Sequence, residues 1–403
     1  MRYNPRVLHI MDSCQARAEL NKINCDPAGI NIMTAKTMFK TVKLEAISAK
    51  AANLLKQTFL SKGGEVAVAR GTADLSVDCS DVLICATLKQ YRLAITQLKQ
   101  QPWGLPDVSM AIEKALESEE KILKREYKWS DRRLTIKSGR TLVMGILNVT
   151  PDSFSDGGKH NLLDSALRHA EKMAQDGADI IDIGAESTRP YGAEKVSADE
   201  ELYRLLPILE KLLSSSPLPV SVDTYKAVVA EAALNLGAHI INDVWGLQYD
   251  SAMAGVIAKY GVPVVVMHNQ RGTDYDGDVL AHITAFLQRS VKIGSQAGID
   301  FDNIIVDPGI GFGKTIGHNL AVIARLGELK AIGCPILLGS SRKRFIGEIL
   351  GGLDAGDRVE GTAATVALGI VNGVNIVRVH DVKSIVRVAR MTDEILRGGY
   401  DGE

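Results

Sequence analysis

The chain has 403 residues, five cysteines and a net charge of −1, with 46% hydrophobic and 24% charged residues. This is an ordinary globular composition, long enough for two or three domains and at least one large core, and its balanced charge gives no support for nucleic acid or a membrane surface as partner. Cys14, Cys25, Cys79, Cys85 and Cys334 form no C-x-x-C pair, the start has no signal-length apolar region, and no run approaches the roughly 18 apolar residues of a membrane span, so the expectation is a cytoplasmic protein in a reducing compartment.

The first 130 residues read as a small α/β domain. A helix is expected over Lys43–Leu60, ended by Gly63-Gly64, with strands at Glu65–Ala69 and Asp81–Cys85. A second helix follows at Leu88–Gln100, and a charged one at Ser109–Tyr127 leads to a polar stretch. No catalytic motif falls here, and the role of this part stays open. The polar residues Tyr127–Arg140 mark the boundary, with one domain over 1–130 and a second over 140–403.

Downstream one pattern recurs. A short β-branched run ends in polar residues, a Gly- or Asp-containing loop follows, and an amphipathic helix closes the unit. The runs are Leu142–Leu147, Asp179–Ile183, Pro219–Val222, His239–Ile241, Pro263–Met267, Asn303–Val306, Pro335–Leu338 and Asn375–Val379. Leu163–Gln175, Lys226–Leu236, Val279–Ala297 and Lys383–Arg397 exemplify the helices. Runs this short and apolar read as buried parallel strands. Eight such units predict an α/β fold, a (β/α)8 TIM barrel preceded by the small α/β domain. A doubly wound sheet would carry a phosphate fingerprint after its first strand, and none follows Leu147.

A barrel collects its active site at the C-terminal ends of its strands. The polar residues there are Asn148 after the first run, Glu186–Pro190 after the second, Asp223, Asn242 with Asp243, His268 with Asn269, Asp307, Ser340–Lys343, and Arg378 with His380. One polar residue at a strand end is ordinarily a cap or a turn former; eight such ends facing one mouth are not explained that way. Asp223, Asn242 and Asp307 suit a flat heterocycle with several N–H donors. Arg378, His380 and Asn148 fall on neighbouring strands of a closed barrel and suit a phosphate or pyrophosphate, with Asn148 as an oxygen ligand if Mg2+ shares the charge. Asn148–Asn161 and Glu186–Ser197 are long loops that read as lids. Gly313-Lys314-Thr315 looks like the end of a phosphate-binding P-loop, but Pro308 stands where its first glycine belongs, so the segment reads as a Gly-rich loop that lets backbone approach a ligand. His268 reads as structural.

Asn148–Gly158, Gly177–Gly184 with Glu186–Pro190, Ser221–Thr224, Ile241–Val244, Val306–Gly309, Ser341–Lys343 and Arg378–Val382 together resemble, in order, the motifs of dihydropteroate synthases over about residues 140–397. The resemblance implies joining p-aminobenzoate to (7,8-dihydropterin-6-yl)methyl diphosphate with release of pyrophosphate, small-molecule substrates, Mg2+ as cofactor, a homodimer, and a target for sulfonamides. It implies that Asp223, Asn242, Met267, Asp307 and Lys343 hold the pterin, with Arg378 packing on its ring. Asn148, Thr188, Arg378 and His380 would hold pyrophosphate, with Asn148 the metal ligand, and Phe154, Thr188, Pro190, Phe312, Ser341 and Lys343 would shape the p-aminobenzoate pocket. Asp307, Lys343, Arg378 and His380 are the expected catalytic set. Asn269 stands where many members carry a second Met after His268. A methyltetrahydrofolate:corrinoid methyltransferase shares the pterin-binding barrel and is the first alternative; it has no pyrophosphate to bind and no use for Phe154, Ser341–Lys343 or Arg378–His380. A non-catalytic pterin-binding protein is the second.

Overall fold

The computed structural model describes residues 3–10, 12–120, 123–149, 159–186 and 196–398. The chain divides into two compact units, 1–121 and 122–403.

The first unit contains α1 (Ser13–Lys22), α2 (Pro27–Thr37), β1 (Phe39–Ser48), α3 (Ala49–Leu60), β2 (Glu65–Val68), β3 (Cys79–Thr87), α4 (Leu88–Leu98) and α5 (Leu105–Glu120). The strands form an antiparallel sheet in the order β1-β3-β2. Side chains alternate along β3, and its buried face packs with Leu55, Phe59, Tyr91, Leu98 and Ile112 from the helices. The helix expected over Lys43–Leu60 is a strand to Ser48 and a helix after it. Ser48 makes the break, since its side chain caps α3 by accepting from the Ala51 amide at 3.4 Å. Before it, Val42 and Leu44 alternate with exposed residues and pair with β3, so the period is two rather than 3.6. The helix expected over Ser109–Tyr127 ends at Glu120.

The second unit opens with a hairpin, β4 (Lys124–Lys128) and β5 (Arg133–Lys137), in the stretch that sequence marks as a polar boundary. Its inward residues Tyr127, Leu134 and Ile136 are buried against the floor of the barrel, beside Leu142, Met144, Ile180, Ile240, Val265, Ile305, Leu337 and Ile376. The exposed Lys, Arg and Glu residues give the hairpin its polar composition; every second residue is core.

The barrel strands are β6 (Leu142–Asn148), β7 (Ile180–Gly184), β8 (Val220–Asp223), β9 (Ile240–Asp243), β10 (Val264–Met267), β11 (Ile304–Asp307), β12 (Leu337–Leu338) and β13 (Ile376–Val379). They form one parallel sheet in the order β11-β10-β9-β8-β7-β6-β13-β12, and a parallel bridge between Val306 and Ile336 closes it. Around it run α6 (Lys159–Gln175), α7 (Ala198–Ser215), α8 (Ala227–Asn235), α9 (Met253–Tyr260), α10 (Val279–Ala297), α11 (Ile316–Ala324), α12 (Arg344–Ile349), α13 (Val359–Val371) and α14 (Val382–Arg397). The expected α/β TIM barrel and small α/β unit are therefore both present. Strand residues pointing outward, such as Val143, Ile181, Val222, Val264 and Val377, build the large core against the helices. Their neighbours point inward, apolar at the floor and polar above it.

Candidate active site

The alternation along each strand places the site. On β7, Ile180 lies in the floor, so Asp182 and Gly184 follow on the inner face two and four residues on. The same step from Ile240, Val265, Ile305 and Ile376 brings Asn242, Met267, Asp307 and Arg378 inward. Asp223 stands opposite Asn242 in the β8–β9 register.

Arg378 ties these groups together. Its Nε donates to Asp182 Oδ2 at 2.6 Å, and its Nη2 donates to Asp223 Oδ2 at 2.7 Å. Asn242 Nδ2 donates to the same Asp182 oxygen at 3.2 Å. Asp182 is fully buried, and Asp223, Asn242 and Asp307 nearly so. Burying charges costs several kcal/mol unless they are paired, which is why one guanidinium edge serves two carboxylates. Burial still pushes the Asp223 carboxyl up, and the Arg378 guanidinium opposes the rise. Oδ1 of Asp182 and Oδ1 of Asp223 are buried acceptors without a protein donor, so the site has acceptor capacity for a ligand's N–H groups.

Asp307 ends β11 and accepts the Gly309 amide on Oδ1 at 2.7 Å. Burial pushes its carboxyl up to about 6, against that hydrogen bond and the positive charges of Lys343, Lys314 and Arg378. Lys343 follows β12 and immediately precedes α12. Its ammonium lies 4.1 Å from the centroid of the Phe312 ring, a cation–π contact. Phe312 packs in turn with Met267, Val244 and Tyr225, so a small apolar wall stands beside the carboxylates.

Ser341 and His380 meet across β12 and β13. The Ser341 hydroxyl accepts the His380 backbone N–H at 3.1 Å and lies 3.0 Å from Nδ1. Burial, with the positive charges of Arg378 and Arg342, pushes His380 down to about 3. The imidazole is therefore neutral at physiological pH and offers an anion a hydrogen bond rather than a charge. Between Ser341 and Lys343, Arg342 adopts φ +55°. Its guanidinium pairs with Asp381, with Nε 2.9 Å from Oδ2.

Of the residues sequence assigns to the site, Asp223, Asn242, Met267, Asp307, Phe312, Ser341, Lys343, Arg378 and His380 come together here. Asn148 ends β6, half-buried. Phe154, Thr188 and Pro190 lie outside the described residues. Asp243 turns away and accepts the Trp245 and Leu247 amides at 2.8 and 2.7 Å, a turn former. Asp182 is the residue that sequence reasoning did not select. Its signal was available: it is a carboxylate inside an apolar run, in phase with an inward-facing isoleucine. Among the described residues no three His, Cys, Asp or Glu side chains group as a metal cluster. Mg2+ keeps several waters and takes much of its coordination from substrate phosphates, so a single protein oxygen such as that of Asn148, at the end of β6, would suffice beside a bound diphosphate.

Residues 144–380 match the family described as pterin binding enzyme. The chain is 56% identical over 260 residues to the dihydropteroate synthase of Bacillus subtilis, covering 64% of this chain and 90% of that protein. It is 40% identical over 394 residues to a probable bifunctional folylpolyglutamate synthase/dihydropteroate synthase of Halobacterium salinarum, covering 96% of this chain and 46% of that one. The second alignment takes in most of the N-terminal unit. Among solved structures, the dihydropteroate synthase of Clostridium difficile in the presence of pteroic acid superposes with TM-score 0.63 at 53% identity, over 64% of this chain and 97% of that one. The Xanthomonas albilineans dihydropteroate synthase with 4-aminobenzoic acid gives TM-score 0.65 at 41% identity, over 68% and 99%.

Proposed function

From the fact that this chain belongs to the pterin binding enzyme family, with dihydropteroate synthases as its relatives over the barrel, we infer the reaction. It is a dihydropteroate synthase, a transferase of folate biosynthesis that condenses (7,8-dihydropterin-6-yl)methyl diphosphate with p-aminobenzoate to give 7,8-dihydropteroate and pyrophosphate. The observation that carries the residue-level reading is the buried constellation of Asp182, Asp223, Asn242 and Asp307 around Arg378.

The pterin is a flat ring with N–H donors on one edge. Asp223 offers Oδ1, Asn242 offers its amide oxygen, and Asp307 offers Oδ2, since their other polar atoms are engaged by the protein. With one guanidinium edge fixed by two carboxylates, the plane of Arg378 is set, and its face is available for stacking on the ring. Met267 and Val244 line the same region, and Lys343 adds a donor.

The chemical step breaks the C–O bond to diphosphate and forms a C–N bond to the arylamine, whose nitrogen gives up one proton to the departing diphosphate or to solvent. Negative charge grows on the leaving oxygen while the pterin methylene becomes cationic. Arg378 and the neutral His380 donate to the departing diphosphate, and the charge of Asp307 or Asp223 stabilises the cationic pterin. Asn148 would hold Mg2+ together with the diphosphate, and the ion supplies further charge neutralisation when bound. Phe312, Ser341 and Lys343 would shape the arylamine pocket, with Phe154, Thr188 and Pro190 from the two long loops, and Thr188 would also reach the diphosphate. The arylamine is an adequate nucleophile once positioned, so orientation matters more than a strong general base. A methyltetrahydrofolate:corrinoid methyltransferase or a passive pterin binder has no use for the Ser341–His380 pair.

No helix among the described residues is long and apolar enough to cross a membrane. We propose a cytoplasmic location and a homodimer. Exposed apolar residues on α11 to α13, Ile316, Leu320, Ile349, Leu368 and Val371, support the dimer. The deciding experiment is pyrophosphate release by the purified chain with pterin diphosphate, Mg2+ and p-aminobenzoate. Release that needs all three is the expected result; pterin binding without release overturns the assignment.

A further inference from the structure

Gly313-Lys314-Thr315, which has the look of a phosphate-loop ending, is used differently. Asp307 ends β11, and the chain then passes through three glycines in left-handed conformations, Gly309 (φ +68°), Gly311 (φ +84°) and Gly313 (φ +56°), before Thr315 caps α11. A side chain at Gly309 would collide with the His268 carbonyl oxygen. Such a loop has little intrinsic stiffness, because glycine gives up the most freedom on ordering.

Lys314 supplies the stiffness. Its side chain folds back beneath the loop and is only 8% exposed. Nζ donates to Gly309 O at 2.9 Å and Phe312 O at 3.1 Å, and it lies 2.9 Å from His268 Nδ1. Three acceptors surround Nζ, so no donor is left for a phosphate, and burial pushes the amine down to about 7 against the charge of Asp307. His268 is a neutral acceptor, because burial and the Lys314 charge push its pKa far down. It is itself held edge-on against Phe286, with ring centroids 4.9 Å apart. Two more bonds fasten the rim: Tyr275 donates to Gly313 O at 2.8 Å, and Asn319 Oδ1 accepts the Gly311 amide at 2.7 Å. The segment pinned this way carries Phe312, whose ring in turn seats the Lys343 ammonium. A side chain at Gly311 would press on Lys343 Cδ at 2.9 Å, so loop shape and lysine position are coupled.

We infer that Lys314 is a positioning residue for the condensation: its buried Nζ, bonded to two loop carbonyls and His268, fixes the 309–314 loop in the shape that presents Phe312, and through it Lys343, to the arylamine. This rests on the synthase reading above. Lys314 touches neither substrate; it acts through Phe312.

The test uses the full-length chain with saturating pterin diphosphate and Mg2+, and thermal unfolding of each variant as the check on folding. Lys314→Met keeps the aliphatic stem and removes all three donors. The KM for p-aminobenzoate is expected to rise about tenfold, the worth of one or two hydrogen bonds, while the Kd for pterin diphosphate by calorimetry stays within about twofold. Lys314→Arg keeps the charge and restores part of the loss. In a Phe312→Leu background, Lys314→Met adds nothing further to KM, because the ring through which it acts is gone. A folded Lys314→Met enzyme with wild-type KM overturns the inference. So does a loss shared equally by pterin affinity, or a full additional effect in the Phe312→Leu background. If Lys314→Met does not fold, Lys314→Arg decides alone: a raised KM with unchanged pterin Kd supports the role, and a wild-type KM overturns it. A wild-type chain that releases no pyrophosphate refutes the synthase reading instead.

Discussion

Arg378 donates from Nε to Asp182 at 2.6 Å, a contact between the last strand of the barrel and the second, linking residues 196 positions apart in the chain. The two are not register neighbours, since β6 lies between β13 and β7. The bond therefore reaches across the barrel's inner face above the apolar floor. It holds the guanidinium where one edge meets carboxylates and a flat face remains for a ring. Asp182 does this without itself being a strand-end residue, and it also steadies Asn242.

Replacing Asp182 with Ala leaves the half-buried Arg378 with Asp223 as its remaining partner. Breaking a buried pair from one side costs roughly 3 kcal/mol, to be read as a lower urea midpoint. Pterin affinity falls with it, because Arg378 and Asn242 both lose their anchor. Unchanged urea stability together with unchanged pterin affinity would show that the contact is dispensable.

Asp307→Ala removes an acceptor from the pterin and the tether on the Gly309 amide. Pterin Kd is expected to rise roughly a hundredfold, the equivalent of two tenfold steps for a lost charge-assisted bond. Wild-type affinity by calorimetry would sink the assignment. The same residue predicts a pH dependence. Its carboxyl is raised from the ordinary 3.8 to about 6. Below 3.8 it is protonated folded or unfolded and contributes no difference. Between 3.8 and about 6 the unfolded chain gives up its proton more readily, so this group's contribution to stability falls as pH rises. Asp307's share of the ligand-free stability should fall through that window, and pterin affinity should gain as the carboxylate forms. Asp307→Asn should remove the part of that dependence centred near 6 and leave the part due to Asp223, whose carboxyl is raised to about 7; a dependence as steep as wild type would count against Asp307 as a source.

Lys343→Ala is expected to fold, since the side chain is half-buried and its ring contact with Phe312 lies at the mouth. Turnover should fall on the order of a hundredfold, the usual cost of one preorganised donor in an active site. Thermal unfolding within a few degrees of wild type separates this from a folding defect. An unchanged kcat would remove Lys343 from the catalytic set.

How much of this was legible in the sequence depends on which physical signal each residue carries. The barrel strands were readable because short β-branched runs leave little alternative to a buried parallel strand, and Asp223, Asn242, Asp307 and Arg378 stand at or near the ends of those runs. Asp182 escaped because attention to strand ends passes over a carboxylate inside one, although its phase with Ile180 marks it as inward-facing. The helix expected from Lys43 hid the strand through Ser48, because a helical window does not register a cap that begins a helix partway along. In sequence Lys314 reads as part of a failed phosphate loop; that its side chain turns back to His268 is a tertiary fact with no local signature. The neutral state of His380 likewise depends on burial and on Arg378 and Arg342 nearby, neither of which the motif reveals.

The hairpin of β4 and β5 gives the last prediction. Its composition reads as a linker, yet Ile136 is fully buried and packs with Tyr127 and Leu134 on the apolar floor of the barrel. The active-site groups sit at the opposite end of the same strands. Ile136→Ala should therefore destabilise the barrel by roughly 3 kcal/mol, as large-to-small changes in a packed core do, while leaving KM for both substrates near wild type at low temperature. A linker residue replaced by Ala would move the urea midpoint by almost nothing. A midpoint unchanged in Ile136→Ala would mean that the hairpin does not close the floor, whereas a lower midpoint with altered KM would mean that the floor and the mouth are mechanically coupled through the strands.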